Sequence, residues 1–183
     1  MKLILLAASV AAVSPLAASE AAVLTLGGPL SELCYQAAAG ADGRSSAIES
    51  CTRALVEESL SARDKASTYV NRGIVLMNAG RFDEANADFD TAVRLQQKLP
   101  DAWLNKGFLK LREGDGRDAL VLIQKAIEEG AGDRALALFG RGVAHEQMGD
   151  VKAAYLDLMH AHQLAPHWVL PRDYLARYRV AQR

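Results

Sequence analysis

Small and bulky apolar residues recur along residues 66–168 in an order that repeats three times. Each copy contains a first glycine, and these glycines, Gly73, Gly107 and Gly142, lie 34 and 35 residues apart. A second glycine follows seven residues later, an alanine twelve later, a bulky apolar residue sixteen later and another alanine nineteen later. The pattern predicts three consecutive pairs of helices, joined by short polar turns and stacked periodically.

The two glycines of each copy have different expected roles. The first lies within a helix, where glycine costs roughly 1 kcal/mol relative to alanine, so a neighbouring helix is expected to approach closely there. That neighbour is predicted to be the second helix of the same pair, through its alanine: Ala85, Ala119 and Ala154. The second glycine is expected to end the first helix in a left-handed conformation. These glycines are Gly80, Gly114 and Gly149.

This arrangement resembles the tetratricopeptide repeat, whose pattern is W-x2-L-G-x2-Y in the first helix and A-x3-F, A and P in the second. The first copy offers Tyr69, Gly73, Ala85, Phe89 and Ala92 in these places, and the third copy also has the proline, as Pro166. The copies depart from the pattern by placing Arg or Lys where leucine is usual, and Lys110 and His145 where tyrosine is usual. The resemblance implies an all-α fold, a right-handed α-solenoid of antiparallel helical hairpins.

The pattern divides the chain into six parts. These are a signal peptide (1–21), a degenerate hairpin (28–60), three repeats (66–99, 100–133 and 135–168) and a capping helix (170–180). The degenerate hairpin keeps the second-helix signature at Ala47, Cys51 and Ala54, but has Tyr35 where the first glycine is expected. The capping helix is predicted to begin at Pro171 and to cover the apolar face of the last repeat.

The first residues have the features of a secretory signal: Lys2, an apolar run over 3–13 and small residues up to Ser19. Cleavage is expected after Ser19 or Ala21, which predicts a periplasmic or secreted bacterial protein without stable membrane insertion. The alternative is an uncleaved membrane anchor, although the run is short for a bilayer and Pro15 interrupts it. The layout also resembles small exported repeat proteins of alphaproteobacteria, which generally lack an assigned activity.

Cys34 and Cys51 are the two cysteines of the chain. Each lies about eight residues from the expected turn near residues 42–43, and residues equidistant from the turn of an antiparallel helical hairpin face each other. An exported protein meets an oxidising compartment, so a disulfide is predicted between them. The alternative is a pair of buried thiols that pack as small hydrophobic groups.

The sequence offers little that predicts catalysis. The net charge of −1 and the interspersed charges give no basic surface for nucleic acid. Two of the four histidines, His160 and His162, would point about 200° apart on a helix, which disfavours a shared metal site. The others are His145 and His167. The chain is predicted to be non-enzymatic and to need no metal or cofactor.

The first helices of stacked hairpins line a concave groove, so the repeat register predicts the residues of a binding surface. They are Val70, Asn71, Ile74, Met77, Asn78, Leu104, Asn105, Phe108, Leu111, Arg112, Phe139, Val143, Glu146 and Gln147. This apolar stripe suits an amphipathic helix or an extended apolar peptide. It lacks the lysine and asparagine pattern with which related grooves clamp acidic tails.

The sequence is compatible with two functions. The first is a periplasmic interaction scaffold that binds a peptide or helix of another protein. The second is a structural protein that self-associates, so that the same stripe is a homo-oligomer interface. The chain's own C-terminal helix, with Tyr174, Leu175 and Tyr178, is a further candidate to cover the stripe.

Overall fold

The computed structural model of the protein describes residues 4–7, 21–25 and 27–181, and does not describe the side chains of 4–7 and 179–181. Most of the predicted signal peptide, residues 1–3 and 8–20, therefore lies outside the described residues. The helices in the described ranges are α1 (Pro29–Ala39), α2 (Ser45–Glu57), α3 (Ala62–Asn78), α4 (Phe82–Leu95), α5 (Pro100–Glu113), α6 (Gly116–Glu128), α7 (Arg134–Gln147), α8 (Val151–Leu164) and α9 (Val169–Leu175).

Consecutive helices pack as antiparallel hairpins. The pairs are α1 with α2, α3 with α4, α5 with α6, and α7 with α8. The first helices also contact one another from hairpin to hairpin, α1 with α3, α3 with α5 and α5 with α7, so they form a continuous inner layer. The prediction of an all-α stack of helical hairpins is confirmed. Across the part of the chain that the structure describes, no helix is both long and apolar enough to span a membrane.

Each repeat closes its hairpin at the first glycine. A Cβ at Gly73 would lie 2.5 Å from Cε1 of Phe89 in α4, and a Cβ at Gly107 would lie 2.5 Å from Cγ1 of Ile123 in α6. The sequence-based expectation placed the helical alanines here; the nearest atoms instead belong to the bulky residue four positions later. The alanines contribute backbone, since the carbonyl oxygen of Ala119 lies 3.4 Å from the Cβ position at Gly107.

The second glycines end the first helices as predicted. Gly80, Gly114 and Gly149 have φ angles of 75°, 80° and 79°, a left-handed conformation that glycine adopts without steric cost. The following helices α6 and α8 begin at aspartates, Asp115 and Asp150, whose side chains accept hydrogen bonds from backbone N–H groups of the first turn. Short, defined turns therefore fix each hairpin.

The Arg residues that replace the usual leucine form ion pairs within their hairpins, and the Lys forms one between hairpins. Arg72 donates two hydrogen bonds of 2.7 Å to Asp88, and Arg141 donates two of 2.7 Å to Asp157. Both carboxylates lie sixteen residues after their arginine and are almost completely buried. The middle repeat has leucine at the corresponding position, and its Lys106 binds Asp90 of the preceding hairpin instead.

The degenerate N-terminal hairpin is cross-linked. A disulfide joins Cys34 of α1 to Cys51 of α2, and both residues are fully buried. A closed loop of this size stabilises a fold by roughly 3 kcal/mol in the chain-entropy model. The hairpin lacks the helix-packing glycine of the other repeats, so the disulfide holds together the least regular pair of helices.

The C-terminal end differs from the predicted capping helix over 170–180. Helix α9 begins at Val169 and already ends at Leu175, and the chain then forms strand β2 (Tyr178–Ala181). This strand pairs antiparallel with β1 (Ile4–Ala7), with Ala7 opposite Tyr178. The backbone groups of β2 therefore bond to another strand instead of continuing the helix.

The close approach at Gly73 gives a first prediction. Gly73→Ala should lower the free energy of unfolding by about 1–3 kcal/mol, because the new methyl group would overlap the fully buried ring of Phe89. Urea unfolding measures the change. Gly132→Ala is the matched control, since a Cβ at the exposed Gly132 meets nothing within 4 Å. Equal stability of the two variants would contradict the packing role.

Candidate peptide-binding groove

The inner helices α3, α5 and α7 carry all the predicted groove residues, but these residues are largely covered. The fully or almost fully buried members are Val70, Asn71, Ile74, Met77, Leu104, Asn105, Phe108, Leu111, Phe139 and Val143. Asn78, Arg112 and Glu146 are half-buried, and Gln147 is exposed. These residues all lie on the inner helices, and the face they define is here called the groove; most of its side chains are buried in the described structure.

One cover is an N-terminal segment that precedes the first hairpin. Residues 21–25, here called the arm, lie across α3 and α5 outside any helix or strand. Ala21, Ala22 and Val23 pack against the apolar core, whereas the side chain of Leu24 points to solvent and is 62% exposed. The arm therefore occupies the groove as a short peptide.

Asn71 of α3 binds the arm through its side-chain amide. Its Oδ1 accepts a 2.8 Å hydrogen bond from the backbone N–H of Val23, and its Nδ2 donates a 2.7 Å bond to the backbone oxygen of the same residue. The side chain of Asn71 is fully buried, and an unsatisfied buried amide is costly. Because Asn71 binds both backbone groups of one residue, this position selects a residue whose N–H and C=O are both free of other hydrogen bonds.

Asn105 occupies the same position in the next repeat. Its Nδ2 donates a 3.0 Å hydrogen bond to the backbone oxygen of Ala21, and a second bond to the oxygen of Asp101 in its own helix. Its Oδ1 is buried and has no hydrogen-bond partner among the described residues. Asn105 therefore binds one backbone oxygen of the arm, while its own Oδ1 has no donor among the described residues.

The two asparagines match the spacing of an extended chain. They lie 34 residues apart in the repeat register, and their arm partners, Val23 and Ala21, lie two residues apart. Side chains and backbone groups of an extended chain repeat every two residues, over about 6.6–6.8 Å. The third repeat has Gly140 at this position, where a Cβ would lie 3.0 Å from the ring of Phe108. The asparagine contacts therefore end after two repeats.

The C-terminal part of the chain covers the groove at the third repeat. The ring of Phe139 meets Trp168 and Tyr174 edge to face, with centroid distances of 4.9 and 5.1 Å. Tyr174 belongs to α9 and is itself 8% exposed. The C-terminal helix thus packs on one end of the stripe, while the arm binds α3 and α5 through Asn71 and Asn105.

Charged groups at this end are arranged around Glu146. Burial raises the pKa of Glu146, and Arg177, whose Nη1 lies 3.7 Å away, partly offsets that rise. Arg177 also lies over the ring of Tyr174 at 3.8 Å from its centroid. Burial, followed by the nearby Glu146 charge, raises the pKa of Tyr178. Charged groups therefore lie at the rim of the groove, and its floor is apolar.

Glu58 fixes the point where the arm joins the first hairpin. Its carboxylate accepts hydrogen bonds from the backbone N–H groups of Gly28, Leu30 and Ser31 and from Ser31 Oγ, at 2.6–3.2 Å. These bonds satisfy the N-terminus of α1, which has no side-chain cap of its own. Gly27 lies in the same tight contact, since a Cβ there would be 2.0 Å from Ser31 Oγ.

The histidines lie apart from the groove floor. His145 is half-buried with Nε2 3.9 Å from Asp157, His162 is half-buried, and His160 and His167 are exposed. Within the residues that the structure describes, no group of three or more His, Cys, Asp or Glu side chains could hold a metal ion.

The arm is the part of the site that the sequence analysis did not find. Residues 22–27 fell between the predicted signal peptide and the predicted hairpin and received no role. The available signal was a run of mostly apolar residues with two β-branched ones, Ala22 to Leu26, followed directly by Gly27, Gly28 and Pro29. Such a run favours an extended segment ahead of a turn, but nothing in it points to Asn71 or Asn105.

Antiparallel helical hairpins stacked around a peptide-sized groove define a class of repeat scaffold. Residues 66–99 match the family model described as tetratricopeptide repeat. The neighbouring hairpins repeat the architecture of this matched segment. No curated protein matches the sequence.

Solved structures share this fold at low sequence identity. The tetratricopeptide domain of Arabidopsis OM64 has a TM-score of 0.59 at 19% identity, over 64% of this chain and 96% of that domain. MamA from Desulfovibrio magneticus RS-1 gives 0.59 at 19%, over 81% of this chain and 82% of that one. The second such domain of human RPAP3, in complex with the HSP70 peptide SGPTIEEVD, gives 0.58 at 18%, over 64% and 97%.

The hydrogen bonds at Glu58 predict a pH dependence. Burial raises the pKa of Glu58, but the bonds from Ser31, Leu30 and Gly28 outweigh it, so the pKa lies below its ordinary value of 4.5. A carboxyl with a depressed pKa contributes stability above its unfolded pKa, and that contribution is lost as the pH falls through the folded pKa. Stability should therefore fall below about pH 4.5.

Glu58→Gln tests this assignment. The variant should be less stable at neutral pH, and its stability should change less between pH 5 and pH 3, measured by urea unfolding at each pH. Glu49→Gln is a suitable control, because Glu49 is an exposed carboxylate on the same helix α2. If both variants kept the wild-type pH profile, Glu58 would not fix the start of α1.

Proposed function

We propose that the protein is a non-catalytic interaction scaffold whose groove binds a peptide segment of a partner protein in extended conformation. The observation that carries the proposal is the pair of hydrogen bonds between Asn71 and the backbone of Val23. The groove already holds one extended segment in this way, so its surface has the shape and the polar groups for such a ligand.

The geometry favours an extended peptide over an amphipathic helix. In a helix the backbone N–H and C=O groups are bonded within the helix, and an asparagine side chain cannot bind both groups of one residue. In an extended chain both groups point outward and are available every second residue. The two asparagines, one repeat apart, therefore suit a strand-like ligand.

The floor of the groove indicates the side chains of the partner peptide. Val70, Ile74, Leu104 and Phe108 are buried in the inner layer. The arm places alanine and valine against this surface. A partner segment with small apolar residues therefore fits the groove best. The acidic tail bound by human RPAP3 would lack the lysine contacts that the sequence analysis found missing here.

Peptide selection tests the proposal. A phage-displayed library of linear peptides, panned against the full chain, should enrich segments rich in alanine, valine and similar small residues. Asn71 also holds the arm, so its substitution is tested in a chain that carries Val23→Pro, whose arm lacks the N–H that Asn71 accepts. There Asn71→Ala should weaken binding of a selected peptide by about tenfold, because two hydrogen bonds are lost; Asn105→Ala should weaken it less. Fluorescence anisotropy gives the dissociation constants.

The matched control is Asn86→Ala on α4, since Asn86 bonds to Asp90 of its own helix and should leave peptide binding unchanged. In the Val23→Pro background, equal binding with and without Asn71→Ala would place the peptide elsewhere and overturn the proposed groove function.

Self-association is the second candidate function, and the arm is the observation that favours it. An arm from a second copy could make the same contacts with Asn71 and Asn105 that the chain's own arm makes. The protein would then be a homo-oligomer built by arm exchange. Light scattering separates the two functions, because a monomer over a wide concentration range excludes the exchange.

We also propose that the protein acts in the periplasm or outside the cell. The N-terminal pattern of Lys2 and the apolar run 3–13 supports export, and the buried disulfide supports an oxidising compartment. Protein recovered from the envelope of expressing bacteria should begin at Glu20 by intact mass, because cleavage after Ala21 would remove the arm residue that Asn105 binds. It should show no reactive thiol in denaturant until a reductant is added. An unprocessed chain with two free thiols would contradict export.

A further inference from the structure

The arm makes its polar contacts with the groove through backbone atoms. The described contacts are the two bonds of Val23 with Asn71 and the bond of the Ala21 oxygen with Asn105. Leu24, its largest side chain, points to solvent. Since each asparagine amide can serve one peptide unit at a time, the arm and an extended partner peptide exclude each other.

The arm is also an incomplete ligand. Thr25 is 5% exposed, and its Oγ1 is buried without a hydrogen-bond partner among the described residues. On the groove side, the buried Oδ1 of Asn105 likewise has no partner among them. Each unsatisfied buried polar group costs free energy. A peptide that donates an N–H to Asn105 Oδ1 and places no hydroxyl at the Thr25 position would therefore bind better than the arm.

The arm can leave without dismantling the hairpins. On its C-terminal side the arm is joined to the first hairpin at Gly27 and Gly28, and the bonds of Glu58 to Gly28, Leu30 and Ser31 begin only there. Each hairpin is held by contacts between its own two helices. Release would uncover the apolar surface on which Ala21, Ala22 and Val23 pack, so an empty groove is unfavourable and one occupant replaces another.

We propose that the arm is an intramolecular competitor that closes the groove, and that the partner peptide enters by displacing it. This inference rests on the proposed function and adds its regulation. A protein whose binding-competent state is only partly populated binds with an affinity reduced by that fraction. Weakening the arm should therefore strengthen binding of a peptide supplied from outside.

The test uses the full chain and a fluorescent peptide with the sequence of residues 20–26. Val23→Pro removes the N–H that Asn71 accepts while keeping an extended backbone. This variant should bind the probe roughly threefold to tenfold more tightly than wild type, the effect expected for one lost hydrogen bond. Leu24→Ser is the matched control, because the Leu24 side chain is exposed, and it should bind as wild type does.

Two further outcomes keep the arm proposal separate from the groove function. If wild type and Val23→Pro bind the probe equally, and Asn71→Ala abolishes binding in both, the groove binds peptides but the arm does not compete. If Asn71→Ala has no effect in any variant, the groove function itself is overturned.

Hydrogen exchange supplies a second measurement on the unaltered protein. The amide of Val23 should be protected in the free chain, because its N–H is bonded to Asn71, and should lose that protection when saturating probe is added. Protection that persists in the presence of bound probe would show that the arm stays in place, and would overturn the proposal.

Discussion

The contact between a helical glycine and a bulky side chain of the next helix determines the geometry of this protein. At Gly73, Gly107 and Gly142 no Cβ would fit, because Phe89, Ile123 and Leu158 lie 2.5–2.9 Å from its position. Each hairpin is therefore closed in the same way and the inner helices stack in constant register. Asn71 and Asn105 stand two positions before the glycines, so the same contact aligns the two side chains that bind the arm.

That alignment gives the groove its chemistry. A buried amide needs hydrogen-bond partners, and an apolar floor needs a cover. An extended peptide meets both needs together, since its backbone binds the asparagines and its small side chains lie on the floor. The arm does so with three hydrogen bonds to Asn71 and Asn105 among the described contacts. In the third repeat the apolar floor is covered in another way, by Trp168 and Tyr174, which pack on Phe139.

Periodicity made the fold predictable, because the glycine and alanine spacings report contacts within one hairpin. The occupied groove was not predictable in the same way. Val23 and Asn71 are separated by 48 residues, and Ala21 and Asn105 by 84, and no repeat links them. The ion pairs were predictable in part. Arg72 with Asp88 and Arg141 with Asp157 share a spacing of 16 residues, a signal that was present in the sequence.

The N-terminal hairpin also determines how strongly the arm competes. The disulfide fixes α1 against α2, α1 packs on α3, and Glu58 at the end of α2 holds Gly28 at the start of α1. The arm therefore starts from a fixed point beside the groove, and a short tether gives effective concentrations in the mM range. A weak intrinsic affinity then suffices to keep the groove filled. The N-terminal hairpin thus holds the arm beside the groove. In the proposed competition, a partner peptide must overcome the effective concentration of the tethered arm as well as its few hydrogen bonds.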